Sequence, residues 1–259
     1  MGSYQDQEDL DTVLGPKVHT KLSPLPTRDL DVHGKFVTLE RLTEAHIPSL
    51  WTNVGMPADD SVFRYMLSRP DSPQEFWGQF EDGTRSGKIF YAIKANPARL
   101  SPSSSQPPDT AEARSEVVGA VAFLNIEPAN RALEIGHVMY GPVLQRTAAA
   151  TEVQYLLLRH AFGEDHAALS PPYRRVVWKC NHLNAASQRA AKRLGFVYEG
   201  TFRKHMVIQG RSRDSDWFSI VDDEWEGSVK RGFEVWLGDA NFDAEGKQIR
   251  SLEQCREKR

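Results

Sequence analysis

Residues 133–162, LEIGHVMYGPVLQRTAAATEVQYLLLRHAF, set an apolar strand, an abrupt stop, a corner of small residues and an amphipathic helix in unbroken succession. That order restricts the chain to an α/β class in which a sheet strand delivers the backbone to a helix N-terminus. Gly141 and Pro142 end the strand. Thr147 is a residue type that accepts from the first free amides of a helix, and Ala148, Ala149 and Ala150 leave those amides approachable. Such a corner favours an anion such as phosphate, because the free N–H groups and the helix dipole both present positive charge. Strand-to-helix turns are common in α/β proteins, so the corner by itself does not identify a ligand.

With 259 residues and 40% hydrophobic content, the chain can bury a full core in one large domain or at most two. Thirty-two basic residues against thirty-five acidic ones give a net charge of −3, which offers no overall field for nucleic acid or an anionic membrane. Cys180 and Cys255 stand far apart with no CxxC or His-Cys cluster, so neither a disulfide framework nor a metal site is indicated, and a reducing compartment fits best. The leading MGSYQDQEDLD is polar and acidic where a secretory leader is basic and then apolar. No apolar run reaches the ~20 residues of a membrane span. A cytoplasmic protein is the expectation.

Residues 1–34 carry Pro16, Pro24, Pro26 and scattered charge, and read as a tail or extended lead-in. The alternation of KFVTLERL predicts a first strand from residue 35. Ile47, Leu50, Trp51 and Val54 recur at helical spacing over 43–55, and Phe76, Trp77 and Phe80 follow Pro73 in a second helix over 72–80, both sets facing the core. KIFYAIK (88–94) and EVVGAVAFLNI (116–126) are strands on either side of an insertion at about 96–115, too poor in apolar groups to offset the entropy of ordering. Residues 132–140 make the next strand, whose Gly136 marks either a packing glycine or a bulge or ligand approach. In the helix over 148–162, His160 reads as a packed histidine. RVVWK (175–179) is a strand, and NHLNAASQRAAKRLGF supplies an Asn184 cap, the small residues Ser187, Ala190 and Ala191, and Gly195 as a stop. Residues 196–208 and 214–221 form a closing hairpin joined by QGRSR, and residues 222–237 a helix before a charged tail.

Gln145, Arg146, Thr147, Ala148, Ala149 and Ala150 meet the pattern Gln or Arg, two residues, Gly or Ala, one residue, Gly or Ala. The pattern follows EIGHVMY, opens a helix, and precedes NAASQRAAKRLGF by one strand. In this order and at these residues the chain resembles the GNAT acyltransferase superfamily, and within it the ribosomal-protein alanine acetyltransferase-like branch, where ATE, here Ala150, Thr151 and Glu152, often follows. The resemblance spans roughly residues 35–225. It implies an α/β (α+β) fold: a mixed, mostly antiparallel central sheet, splayed at the acyl-CoA site and flanked by helices. The N-acetyltransferase domain would occupy 35–226, after a lead-in over 1–34 and before a C-terminal helix and tail over 227–259.

The resemblance further implies acetyl-CoA as co-substrate, lying between the strands of residues 138–140 and 176–180 where they part. Backbone groups of Val138 and Tyr140 would hold the pantetheine arm and the amides of Arg146 to Ala150 the pyrophosphate, with Asn184 and the Ser187 turn as the opposite wall. Acetylating an amine of pKa ~10 calls for a proton acceptor, oxyanion stabilisation and a proton for the thiolate. Glu134 stands where this branch commonly carries a glutamate and is the candidate base or ammonium holder. His137 points to the opposite face on a regular strand, and a bulge would bring it round. Ala191 replaces the tyrosine that many members use as general acid, and Ser187, one turn earlier, matches a serine of the ribosomal-protein branch. The acceptor would be a small-molecule amine or a peptide amino terminus, selected by residues 43–80 and by the hairpin bearing Arg203, His205, Arg211 and Arg213. The protein would act as a monomer or homodimer. With the tyrosine missing, a non-catalytic acyl-CoA-binding module is the alternative.

Overall fold

A computed structural model describes residues 12–26, 32–55, 60–96, 100–101, 115–164 and 169–257. Most of the insertion expected at about 96–115, and part of the lead-in over 1–34, lie outside the described residues. An eight-stranded sheet runs in the order β1-β2-β3-β4-β5-β6-β8-β7. Its strands are β1 (Val32–His33), β2 (Val37–Arg41), β3 (Ile89–Ala95), β4 (Glu116–Glu127), β5 (Ala132–Tyr140), β6 (Arg175–Asn181), β7 (Val197–Ile208) and β8 (Arg211–Val221). Neighbours pair antiparallel except β5 and β6, which are parallel. The mixed, mostly antiparallel sheet flanked by helices is the fold expected from the resemblance.

The middle strands are buried on both faces, which explains their nearly continuous apolar sequence. Tyr91 and Ile93 join one core and Phe90 and Ala92 the other. The first core is covered by α3 (Ala148–Ala161), α4 (Ala185–Leu194), α5 (Lys230–Leu237) and α6 (Leu252–Arg256). Over the second lie α1 (Ile47–Val54) and α2 (Pro73–Arg85), whose Leu50, Val54, Phe76 and Phe80 face the sheet as the helical spacing predicted. The strand residues of that second core come from β3, β4 and β5 (Phe90, Ala92, Val117, Ala120, Ala122 and Met139), and none among the described residues from β6, β8 or β7. The apolar part of that face therefore stops at β5, and polar residues such as Glu134, Ser215 and Ser219 take over from there.

Three details differ from the sequence reading. Strand β8 begins at Arg211, because Gln209 (φ 49°) and Gly210 (φ 71°) alone make the two-residue turn, so Arg211 and Arg213 lie in the sheet. Trp225–Val229 is a π-helical segment between a first turn, Asp222–Glu224, and α5, a change of pitch that apolar spacing does not reveal. The charged tail folds back: Leu252 and Cys255 are buried in the first core, and Arg256 donates to the Arg193 carbonyl (2.6 Å). No helix among the described residues is long and apolar enough to cross a membrane.

Candidate active site

Parallel β5 and β6 pair only at Ala132↔Arg175, Leu133↔Val176 and Glu134↔Val177. Beyond that point β5 continues to Tyr140 and β6 to Asn181 with no pairing between them. The facing edges carry backbone groups without a ladder partner, and such a gap accepts an extended ligand that supplies the missing bonds. Val138 and Tyr140, both half-buried, lie on the β5 side of it.

At the end of β5 the Gly141 amide donates to the Val118 carbonyl (2.9 Å). A Cβ on Gly141 would run into the Asn53 carbonyl and approach that of Val118 to 3.0 Å, so α1 and β4 admit only glycine here. The amides of Leu144 and Gln145 return to the Gly141 carbonyl (2.9 and 3.2 Å), and Gln145 Nε2 donates to the Tyr140 carbonyl (2.9 Å). Arg146 adopts a left-handed φ of 63°. Thr147 caps α3, its Oγ1 accepting from the Ala150 amide (3.1 Å) and donating to the Leu144 carbonyl (2.7 Å). The Ala149 amide donates to the Leu100 carbonyl (3.1 Å). Three consecutive amides, those of Arg146, Thr147 and Ala148, thus have no hydrogen-bond partner among the described residues, at the positive end of α3. They are the candidate anion cradle, a shorter run of free amides than the one to Ala150 expected from sequence. Ala149 and Ala150 serve it by being small.

Glu134 is the buried acid beside the gap, 6% exposed. Its Oε2 accepts from Asn125 Nδ2 (2.7 Å) and pairs with Lys179 Nζ (2.8 Å). Asn125 reaches it from a β4 bulge with φ 46°. Oε1 has no hydrogen-bond partner among the described residues; a Cβ on Gly136 would meet Leu124 Cδ2 at 2.8 Å and this oxygen at 3.3 Å, so glycine makes room for both. A second bulge sets His137 and Val138 opposite Val121, between the pairs Ala120↔Met139 and Ala122↔Gly136. His137, at φ 47°, is thereby turned onto the Glu134 face, edge-on to Phe90 at 5.3 Å. The regular alternation that would place it on the other face is broken by that extra residue.

On the opposite side of the gap, Asn184 caps α4 by accepting the Ser187 amide on Oδ1 (3.1 Å). Trp178 Nε1 donates to Ser187 Oγ (3.0 Å). An indole N–H can only donate, so the serine hydroxyl accepts from it, and its own proton is directed at the Cys180 sulfur. Trp178 belongs to the first core and Glu134 to the other sheet face. Glu134 and Ser187 therefore flank the gap from opposite faces of the sheet.

The family model for the acetyltransferase (GNAT) domain matches residues 37–197. The chain belongs to the GNAT acetyltransferase family. A GCN5-related N-acetyltransferase from Brucella melitensis shares the fold with a TM-score of 0.77 and 33% identity, covering 91% of this chain and 97% of that one. The ribosomal-protein-serine acetyltransferase of Escherichia coli is 28% identical over 108 residues, or 42% of this chain, which spans 56% of that relative's length. A microcin C7 self-immunity acetyltransferase solved with acetyl-CoA and AMP has a TM-score of 0.54 and 21% identity, covering 73% of this chain and 93% of that one.

GNAT acetyltransferases draw on acetyl-CoA, and the unpartnered amides and the open gap fit a pyrophosphate joined to an extended arm. Sequence reasoning missed Asn125, Lys179 and Trp217, whose ring lies 3.9 Å under the Lys179 ammonium. A lysine within the apolar RVVWK was the available signal for a buried ion pair. Burial, reinforced by the nearby Lys88 charge, pushes the His137 pKa down to about 4 from the ordinary 6.5. The imidazole is neutral at pH 7 and a poor base for an amine. Between those two values the unfolded chain binds the proton and the native state does not, so stability falls as pH drops through the window. In denaturant titrations at pH 7 and pH 4, the loss of stability on acidification should be smaller in His137→Asn by about 3 kcal/mol. An equal loss in both proteins would show that His137 is not held neutral.

Proposed function

We propose that this GNAT enzyme transfers the acetyl group of acetyl-CoA to a primary amine, on a small molecule or a peptide amino terminus, by direct attack with both substrates bound. The observation that carries this reading is the end of the β5–β6 ladder at Glu134↔Val177, which puts a carboxylate with one open oxygen beside a strand-shaped gap leading to an unpartnered helix N-terminus.

In this reading the amides of Arg146, Thr147 and Ala148 hold the pyrophosphate, with Gln145 bracing the Tyr140 carbonyl. Backbone groups of Val138 and Tyr140 receive the pantetheine arm. Acetyl-CoA, when bound, supplies an activated thioester carbonyl. Glu134 Oε1 takes a proton from the incoming amine, directly or through one water, while Asn125 and Lys179 hold Oε2 in place. The amine nitrogen bonds to the carbonyl carbon and the carbon–sulfur bond breaks. Ser187 Oγ gives its proton to the leaving sulfur and regains one from solvent while Glu134 releases the amine's proton to solvent, so the products are the N-acetyl compound and free coenzyme A. Asn184 fixes the turn that presents Ser187. Much of the acceleration comes from holding amine and thioester together, the amine on the Glu134 face and the sulfur toward α4. The structural unit for this chemistry is the domain over 35–226.

Mixing the protein with acetyl-CoA and a panel of amines should release thiol in stoichiometric step with acetylated amine, alongside saturable cofactor binding. Tight binding with no turnover on any amine would make the protein an acyl-CoA-binding module instead.

A further inference from the structure

The acceptor side of the site carries more positive than negative charge. Around Glu134 stand three basic side chains: Lys179 in contact with it, and Lys88 and Arg213 within electrostatic reach. Lys179 is engaged, by Glu134 on one side and by the Trp217 ring on the other. Lys88 and Arg213 have neither an ion pair nor a side-chain hydrogen bond to another described residue. Burial lowers the basicity of both, only partly offset by Glu134 at Lys88 and by Cys180 and Glu134 at Arg213.

Two donors on the same face of β8 are orphaned as well. Arg213 Nε and Trp217 Nε1 are both buried without a hydrogen-bond partner. Buried donors left unmade cost free energy, and guanidinium and indole nitrogens can only donate. What they lack is an acceptor, and the surplus of two cations over the engaged Glu134–Lys179 pair specifies that the acceptor be negatively charged. The wall around them is aromatic: Trp217 packs at a tilt against Phe202 (centroids 4.6 Å apart), and His205, whose Nδ1 is tied to Ser215 Oγ (3.0 Å), leans on both rings. The face is also bridged. Tyr65 Oη donates to the Leu183 carbonyl (3.1 Å) and Gln209 Nε2 to the Met66 carbonyl (3.0 Å), so the chain after α1 is fastened both to the loop after β6 and to the β7–β8 turn. A site strapped at both sides suits a small molecule better than an extended polypeptide.

We propose that the acceptor is a small amine bearing its own anionic group, a carboxylate or a phosphate, which Arg213 binds with Trp217 Nε1 as a second donor while Glu134 receives the amine and Lys88 adds to the positive field. This rests on the acetyltransferase reading above. The charged group sets which amine is presented, and the chemistry of transfer is unchanged.

Thiol release from acetyl-CoA, measured on matched pairs, tests it: amino acids against their amides, and aminoalkyl phosphates against the corresponding amino alcohols. The charged member of at least one series should exceed its neutral partner in kcat/KM by about tenfold or more, the yield of one charge-assisted contact. The series that shows the preference identifies the anion. Arg213→Met should bring that ratio toward one, chiefly through KM of the charged member, and Arg213→Lys should restore part of it. Equal turnover within both series, a neutral preference, or an Arg213→Met that slows charged and neutral members alike would overturn the proposal while leaving the transferase reading standing. Acetyl-CoA binding without turnover of any member would remove the transferase reading and this inference with it.

Discussion

Glu152→Ala should destabilise the protein by about 3 kcal/mol, seen as a lower urea midpoint at an unchanged denaturant slope. Glu152 sits in the first turns of α3, 5% exposed, and takes three backbone amides from the start of β2. Its Oε1 accepts from Lys35 (2.6 Å), and Oε2 from Phe36 (2.7 Å) and Val37 (3.0 Å). Burial raises its pKa, and those three bonds with the nearby Lys35 charge work against the rise. The net contribution is therefore well below the sum of three charge-assisted bonds. Alanine would leave the amides without acceptors in a place where water enters poorly. Glutamine should recover part of the loss, since one oxygen remains but an NH2 group then faces backbone donors. A loss under about 1 kcal/mol in Glu152→Ala would mean that β2 is held by its ladders to β1 and β3 without help from Glu152.

The second large effect concerns turnover. Glu134→Gln is expected to lower kcat by about 100-fold with little change in acetyl-CoA affinity, because the oxygen facing the gap loses its capacity to take a proton. The same change strips Lys179, whose side chain is only 16% exposed, of its counter-ion, so a stability loss will accompany it. Pairing it with Lys179→Met separates the two effects: the double variant should regain stability and remain slow. Turnover untouched by Glu134→Gln across pH would remove Glu134 from the mechanism and leave the cofactor cradle in place.

The cradle was legible because its ingredients are local. Thr147 as a cap, three alanines behind it and glycine before it act within one turn of chain, and the spacing alone specifies a helix N-terminus with exposed amides. The same holds for Asn184, whose side chain caps α4 as its place before AASQRAAKRL foretold, and for Gly195, which ends that helix at φ 104°. The acceptor side was not legible to the same degree. Lys179, Trp217 and Arg213 come from two strands that meet only in the sheet, and Asn125 reaches Glu134 because a bulge turns it there. His137 shows the limit most directly. Alternation put it away from Glu134, and one extra residue against Val121 brought it back.

The sequence by itself determined the order of the elements from β2 to α5, the faces that α1 and α2 bury, and the capped helix N-terminus with free amides, because periodicity and capping depend on neighbours a few residues apart. Only the tertiary structure decided where the ladder between β5 and β6 stops, which carboxylate oxygen faces the opening, and which cations are left without partners. Those depend on register, bulges and long-range burial, where one inserted residue or one distant counter-ion changes what a side chain meets.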